Sequence, residues 1–182
     1  MRDSHGIIIQ DAYRDFIPAM NAQRTIGRLL SGIPAKYVSG IKTIVLTNAG
    51  GLSHDRRRQK TLSRKRKVLI RESRGLYHQK WQNESAWIEV FVDNVCQGWP
   101  SWLLRIPFFS DLALADIVFH ELGHHIQKTQ VPEFKEREDV AEKGSKRLSR
   151  HYFWRRYWYL MPLFFGIWFI LKPFRSPKKN GT

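Results

Sequence analysis

The 182-residue chain is strongly basic, because 31 Lys and Arg against 16 Asp and Glu give a formal net charge of +15 at pH 7. This length suits one domain with a real core plus a tail, and it is too short for two domains of ordinary size. The single cysteine, Cys96, excludes an internal disulfide, and residues 1–6 do not resemble a cleavable signal, so we expect a reducing, cytoplasmic compartment. The charge favours nucleic acid or anionic membrane surfaces as partners.

The first half of the chain predicts one helix and three strands. Apolar residues at helical spacing between residues 11 and 31 predict an amphipathic helix that begins or is interrupted near Pro18. Residues 41–47 are rich in β-branched side chains and predict the first strand of a sheet. Residues 75–78 and 86–92 predict two further strands of that sheet.

A run of cationic residues separates the first two predicted strands. From Arg56 to Arg74 there are ten cationic side chains and one acidic side chain, Glu72. Such a run cannot pack into a core, so we predict a basic loop over residues 55–74. The loop is either a solvated insertion without a specific partner or a binding site for phosphate groups. In the second case we expect non-specific nucleic acid binding with steep salt dependence, because the run lacks aromatic platforms.

The central motif of the chain is His120-Glu121-Leu122-Gly123-His124. Residues four apart lie on one face of an α-helix, so His120 and His124 can direct nitrogen atoms at a single tetrahedral zinc ion. Glu121 lies about 100° further around the helix, near the metal but not on it. A general base at that position would reach water that zinc acidifies to a pKa of about 7. The alternative is a partly buried helix that carries surface histidines.

The residues around the motif support a helix. Residues 110–119 begin with a capping serine and then carry apolar side chains at helical spacing. Gly123 costs about 1 kcal/mol of helix propensity, which indicates that another backbone or side chain approaches closely there. Catalytic zinc usually takes three protein ligands, and Gln127 and Gln130 exclude the metzincin extension of the motif. The third ligand must therefore come from further along the chain.

Residues 133–144 follow a predicted helix stop at Pro132 and predict a second helix that is crowded with carboxylates. The motif followed by Glu138-Asp139-Val140-Ala141-Glu142 resembles the gluzincin metallopeptidases, whose third ligand lies in a Glu-x-x-Ala-Asp segment on the following helix. The resemblance implies that Glu138 is this ligand and that Ala141 lets the two helices approach. Glu142 replaces the family's Asp. Since only thirteen residues separate the motif from Glu138, Glu142 remains the rival ligand.

The resemblance also implies a fold and a substrate site. The fold would be α+β, a minimal zincin-like domain over residues 1–150 with a small mixed sheet packed on the motif helix. In zincins the sheet edge holds the substrate backbone as an added strand, and we predict this edge at residues 86–92, including Trp87, Ile88 and Glu89. His151 is predicted to stabilise the substrate oxyanion, as a downstream His or Tyr does in some gluzincins.

Residues 151–182 form an apolar, aromatic C-terminal tail. Residues 157–171 contain fifteen consecutive uncharged residues, with Arg155 and Arg156 before them and further cations after them. A membrane-spanning helix needs about 20 apolar residues, so this segment is short for one. Aromatic residues near both ends favour the membrane boundary. The two alternatives are membrane association through residues 157–171, at the interface or as a short tilted span, and a helix packed on the domain.

These patterns predict a zinc-dependent metallopeptidase that acts on peptides or proteins. His120, His124 and Glu138 would hold Zn²⁺, and Glu121 would act as general base. The alternative from another class is a non-catalytic basic module that binds nucleic acid or an anionic membrane, with a structural metal or none.

Overall fold

The computed structural model describes residues 1–63, 66–82, 84–130, 138–160 and 162. The chain divides into two units, Met1–Tyr152 and Phe153–Thr182. The first unit mixes helices and strands and contains the motif. Its strands are β1 (Ile8–Asp11), β2 (Ile41–Thr47), β3 (Lys60–Ser63), β4 (Arg66–Leu69), β5 (Gly75–His78) and β6 (Ala86–Phe91). The α-helices of the described residues are α1 (Ala22–Ser31), α2 (His54–Arg58), α3 (Val92–Cys96), α4 (Ser101–Leu104), α5 (Pro107–Gln130) and α6 (Glu138–Tyr157).

The main sheet has the strand order β1-β2-β6-β5. Strands β1, β2 and β6 run parallel, and β5 pairs with β6 in the antiparallel direction. The sheet is therefore small and mixed, as predicted. The sequence ranges predicted for β2 and β5 agree with the structure, and β6 ends one residue before its predicted end. Strand β1 was not predicted, because its few apolar residues show no alternation, so residues 41–47 are the second strand.

The prediction that residues 86–92 form the sheet edge is wrong. Strand β6 is an interior strand, because β2 pairs with one side of it and β5 with the other. Trp87, Ile88 and Glu89 therefore cannot offer free backbone groups to an added strand. The short segment Gly75–His78 folds back onto β6 and becomes the edge of the described sheet on that side.

One face of the sheet packs on the motif helix. One row of paired residues runs across the four strands and consists of Ile9, Ile44, Ile88 and Tyr77. The three isoleucines are fully buried. Tyr77 contacts α5 through His125, its ring centroid lying 5.5 Å from that of the imidazole. The sheet face that carries Tyr77 is therefore the face that contacts the motif helix.

Helices α5 and α1 begin at residues that are favoured at helix N-termini. Helix α5 starts at Pro107, three residues before the predicted capping serine, because the fixed φ of proline suits the first helical position. Helix α1 starts only at Ala22, after Asn21 caps it by accepting a hydrogen bond from the backbone N–H of Arg24. The amphipathic helix predicted from residue 11 is thus confined to the residues after Pro18.

The basic run is folded and is not a loop. Residues 54–72 contain α2, the antiparallel pair β3 and β4, and a 3-10 turn at Ile70–Glu72. Buried Ile70 joins Phe91 and Leu52 in an apolar cluster. The cationic residues therefore have apolar residues among them that attach the run to the domain. Arg64 and Lys65, at the centre of the run, lie outside the described residues.

The second helix predicted at residues 133–144 is described only from Glu138 onward. Helix α6 starts at Glu138, and residues 131–137 lie outside the described part of the chain. Most of the predicted apolar segment 157–171 also lies outside it. Within the described residues of the second unit, Trp158 and Tyr159 are exposed. No helix of the described residues is long and apolar enough to cross a membrane.

Candidate metal centre

The two motif histidines are buried side by side on α5. His120 and His124 are 8% and 7% exposed, and their Nε2 atoms lie 3.2 Å apart. Two nitrogens bound to one tetrahedral zinc ion at about 2.0–2.1 Å would be roughly 3.4 Å apart. The rings stand nearly perpendicular, at 88°. The pair therefore fits two ligands of a single zinc ion.

Glu121 lies beneath the edge strand of the sheet. Its side chain is buried, and a methyl group placed on Gly75 in β5 would lie 3.0 Å from Glu121 Oε1 and 2.6 Å from Ile117 Cγ2. Only glycine therefore lets β5 approach this side of α5. Sequence reasoning did not single out Gly75, although a glycine inside a strand is a recognised signal of close backbone approach.

Gly123 is the point where α6 crosses α5. A methyl group on Gly123 would lie 3.0 Å from Ala141 Cα and still closer to the Ala141 carbonyl oxygen. The predicted close approach at Gly123 is confirmed, and Ala141 is the small residue on the other side of it. The crossing places the N-terminal part of α6 beside the motif.

The third ligand is the part of the site that stays a prediction. Glu138 is the first residue of α6 and precedes Ala141 by three positions, on the same side of the helix. Its side chain lies outside the described residues. The side chain of Glu142 is 59% exposed, and its Oε1 lies 2.7 Å from Lys146 Nζ. Among the described side chains, that of Glu142 included, no group of three or more His, Cys, Asp or Glu is placed to hold a metal.

His125 braces the motif helix and is not a ligand. Its ring is 1% exposed, with Nε2 2.8 Å from the Ser39 carbonyl oxygen and Nδ1 3.1 Å from the Tyr77 hydroxyl. A carbonyl can only accept, so Nε2 carries the proton and the tyrosine hydroxyl donates to Nδ1. Burial lowers the pKa of His125, although the bond to Ser39 opposes this. The neutral ring therefore links α5 to β5 and to the turn before β2.

Glu89 belongs to a buried charge cluster and not to a substrate edge. It is 2% exposed, forms an ion pair with Arg56 of the basic run, and lies 3.4 Å from His78 Nε2. The ring of His78 in turn stacks on Trp87 at 3.7 Å. Burial raises the pKa of Glu89, but hydrogen bonds from His78 and Arg56 and their positive charges outweigh it, so that the pKa is lowered overall.

This lowered pKa predicts an acid-dependent loss of stability. The unfolded chain binds the proton of Glu89 more tightly than the folded chain, so the stabilisation is complete above the ordinary pKa and is lost as pH falls through the folded value. Glu89→Gln should lower the free energy of unfolding by about 2 kcal/mol at pH 7. The difference from wild type should shrink below about pH 4.3 in urea titrations across pH. Glu72→Gln, at an exposed acid of the basic run, is the control, and an equal pH response of both variants would contradict the assignment.

His151 is placed away from the motif. It lines a cleft together with Tyr37, Ile126 and Leu148. Ile126 lies roughly 200° around α5 from His124, so this cleft opens on a different side of the helix. The structure does not bring His151 to the metal centre, and the predicted oxyanion role is not supported.

Tyr152, which follows His151, forms part of a buried network that sequence reasoning missed. Its hydroxyl donates to Asp111 Oδ2 at 2.6 Å, and fully buried Asp111 also forms an ion pair with Arg28. The network joins α1, α5 and α6, and no spacing in the sequence indicates it because its members are far apart along the chain. It fixes the far end of the α6 segment that crosses the motif.

The described site thus combines two convergent imidazoles, a buried carboxylate and the edge strand of the described sheet. The two imidazole nitrogens suit zinc, which binds His nitrogen in tetrahedral geometry, and a third ligand is not among the described side chains. The comparisons of this chain with protein-family models, with curated proteins and with solved structures all end without a match.

Proposed function

We propose that the protein is a zinc-dependent metallopeptidase with a zincin-like arrangement of its sheet and motif helix. The observation that carries the proposal is the 3.2 Å separation between the Nε2 atoms of buried His120 and His124. Two such ligands, a third from a carboxylate and an open fourth position form one of the ligand sets that catalytic zinc uses. When bound, zinc would supply the Lewis acidity that lowers the pKa of water and polarises a carbonyl group.

Glu121 is the group that would move the proton. It follows His120 directly on the same helix, and its side chain is buried beside Gly75, away from bulk water. A carboxylate in that position takes a proton from the attacking water and later donates it to the leaving amine. We assign Glu121 as general base and then general acid.

The edge strand β5 would bind the substrate. Its partner β6 occupies one side, and the other side is the end of the described sheet. An extended peptide added there would gain main-chain hydrogen bonds that do not depend on its sequence. Because Gly75 of this strand lies directly against Glu121, the scissile bond of such a peptide would be held close to the general base.

Zinc analysis of matched variants tests the site. We expect one zinc ion per wild-type chain, together with chelator-sensitive cleavage of an unfolded protein such as casein. Glu138→Ala should weaken zinc binding by at least about 100-fold, since even residues that only orient ligands contribute about 10–100-fold. Glu142→Ala, on the same helix, should bind zinc as wild type does. The opposite pattern would make Glu142 the ligand, and a wild-type chain that takes up no zinc would contradict the enzyme.

A second candidate function rests on the folded basic segment. Five cationic side chains are exposed on or beside α2, β3 and β4: Arg58, Lys60, Lys67, Arg71 and Arg74. Such a surface binds the phosphates of nucleic acid with steep salt dependence, or the anionic lipids of a membrane. A chain that holds no zinc but binds duplex DNA or anionic vesicles would favour this non-catalytic module.

A further inference from the structure

A separate cleft lies between α5, α6 and the 3-10 turn Ala35–Tyr37. Its volume is about 400 Å³, which is within the range of small-molecule sites. Ile126, on the α5 side of the cleft, lies roughly 200° around that helix from His124. The cleft is therefore distinct from the metal centre and does not depend on the proposed peptidase activity.

The described lining of the cleft is apolar and basic. Pro34, Ile126 and Leu148 give it an apolar lining, while its basic side chains are Lys36, Arg147 and His151. Asp and Glu are missing from its described lining residues. Lys36 Nζ lies 5.0 Å from the centre of the Tyr37 ring, which helps to hold the ammonium group beside the cleft. The cleft thus combines an apolar surface with positive charge, and its described lining contributes no acid to neutralise that charge.

We propose that this cleft binds a small amphipathic carboxylate, that is, an acyl or aromatic body with one anionic head group. Burial of the body against the apolar lining would contribute the hydrophobic part of the affinity. The carboxylate would form charge-assisted hydrogen bonds with Arg147 and Lys36, and a guanidinium can bind it through two parallel bonds. A small polar anion would leave the apolar lining exposed to water, and an amphipathic cation would be repelled by the positive charges of Lys36 and Arg147.

Calorimetric titration of the full-length protein with three ligands of equal chain length tests the charge requirement. Decanoate should bind with measurable heat, whereas decanol should bind at least about tenfold more weakly, because it lacks the charge that the cations recognise. Decyltrimethylammonium should not bind. Equal binding of the three ligands, or binding to phosphatidylglycerol vesicles without binding to decanoate, would overturn the proposal.

Charge reversals at the cleft, with a matched control on α6, test the location. Arg147→Glu should weaken decanoate binding by about tenfold or more, and Lys36→Glu should have an effect in the same direction. Arg150→Glu is the control, because Arg150 is exposed on the same helix but does not line the cleft. Each variant's unfolding midpoint reports whether it is folded. Equal affinities of Arg147→Glu and Arg150→Glu for decanoate would overturn the assignment of the ligand to this cleft.

Discussion

Glu121→Gln should keep zinc binding near that of the wild type and lower peptide hydrolysis by about 10²–10⁴-fold. The amide has the size of the carboxylate and leaves His120 and His124 in place, but it cannot accept a proton from water. The measurements are zinc content by atomic absorption and the rate of cleavage of an unfolded protein. A fall in kcat with little change in KM would identify a group that acts in the transition state and not in substrate binding.

His124→Ala is the companion of this variant and should lose both zinc and hydrolysis, because it removes one of two converging nitrogens. The two variants together separate the metal from the proton transfer. Unchanged turnover in Glu121→Gln would show that the assigned mechanism is wrong, even if zinc is present. Loss of zinc in both variants would instead make Glu121 a ligand.

Gly123→Ala should reduce the free energy of unfolding by about 3 kcal/mol. In an ordinary helix this change would stabilise by about 1 kcal/mol, because alanine has the higher helix propensity. Here the added methyl group would clash with the backbone of Ala141. Backbone atoms cannot move aside by a change of side-chain rotamer. The helices must separate, so zinc affinity should fall with stability. Urea unfolding monitored by tryptophan fluorescence gives the free energy.

Gly144→Ala is the matched control on the opposite helix. The nearest atom to its methyl group would be Gly123 Cα at 3.8 Å, an ordinary van der Waals distance. This variant should be as stable as the wild type or more stable, by up to about 1 kcal/mol. A stabilising effect of Gly123→Ala similar to that of Gly144→Ala would mean that α6 does not cross α5 at Gly123.

Local sequence patterns correctly predicted the close approach at Gly123 and the positions of two strands. Gly123 indicated a close approach, and the structure places the Ala141 backbone there. The β-branched run 41–47 and the segment 75–78 agree with β2 and β5. These predictions succeed because helical periodicity and strand propensity depend on neighbouring residues alone. The prediction of a loop for the basic run was wrong. Its few apolar residues show no regular pattern, and their packing depends on Phe91, which is distant in the chain and contacts Ile70 only in the folded protein.

The sequence by itself determined that His120 and His124 share one face of a helix, since that follows from 3.6 residues per turn. Only the tertiary structure decided which strand is the edge beside Glu121, because strand order arises from pairings between segments that are distant in the chain. It likewise decided that Glu89 is buried with Arg56 and that His151 faces another cleft. A carboxylate or an imidazole acquires its role from the groups packed around it, and those groups come from elements that no local pattern brings together.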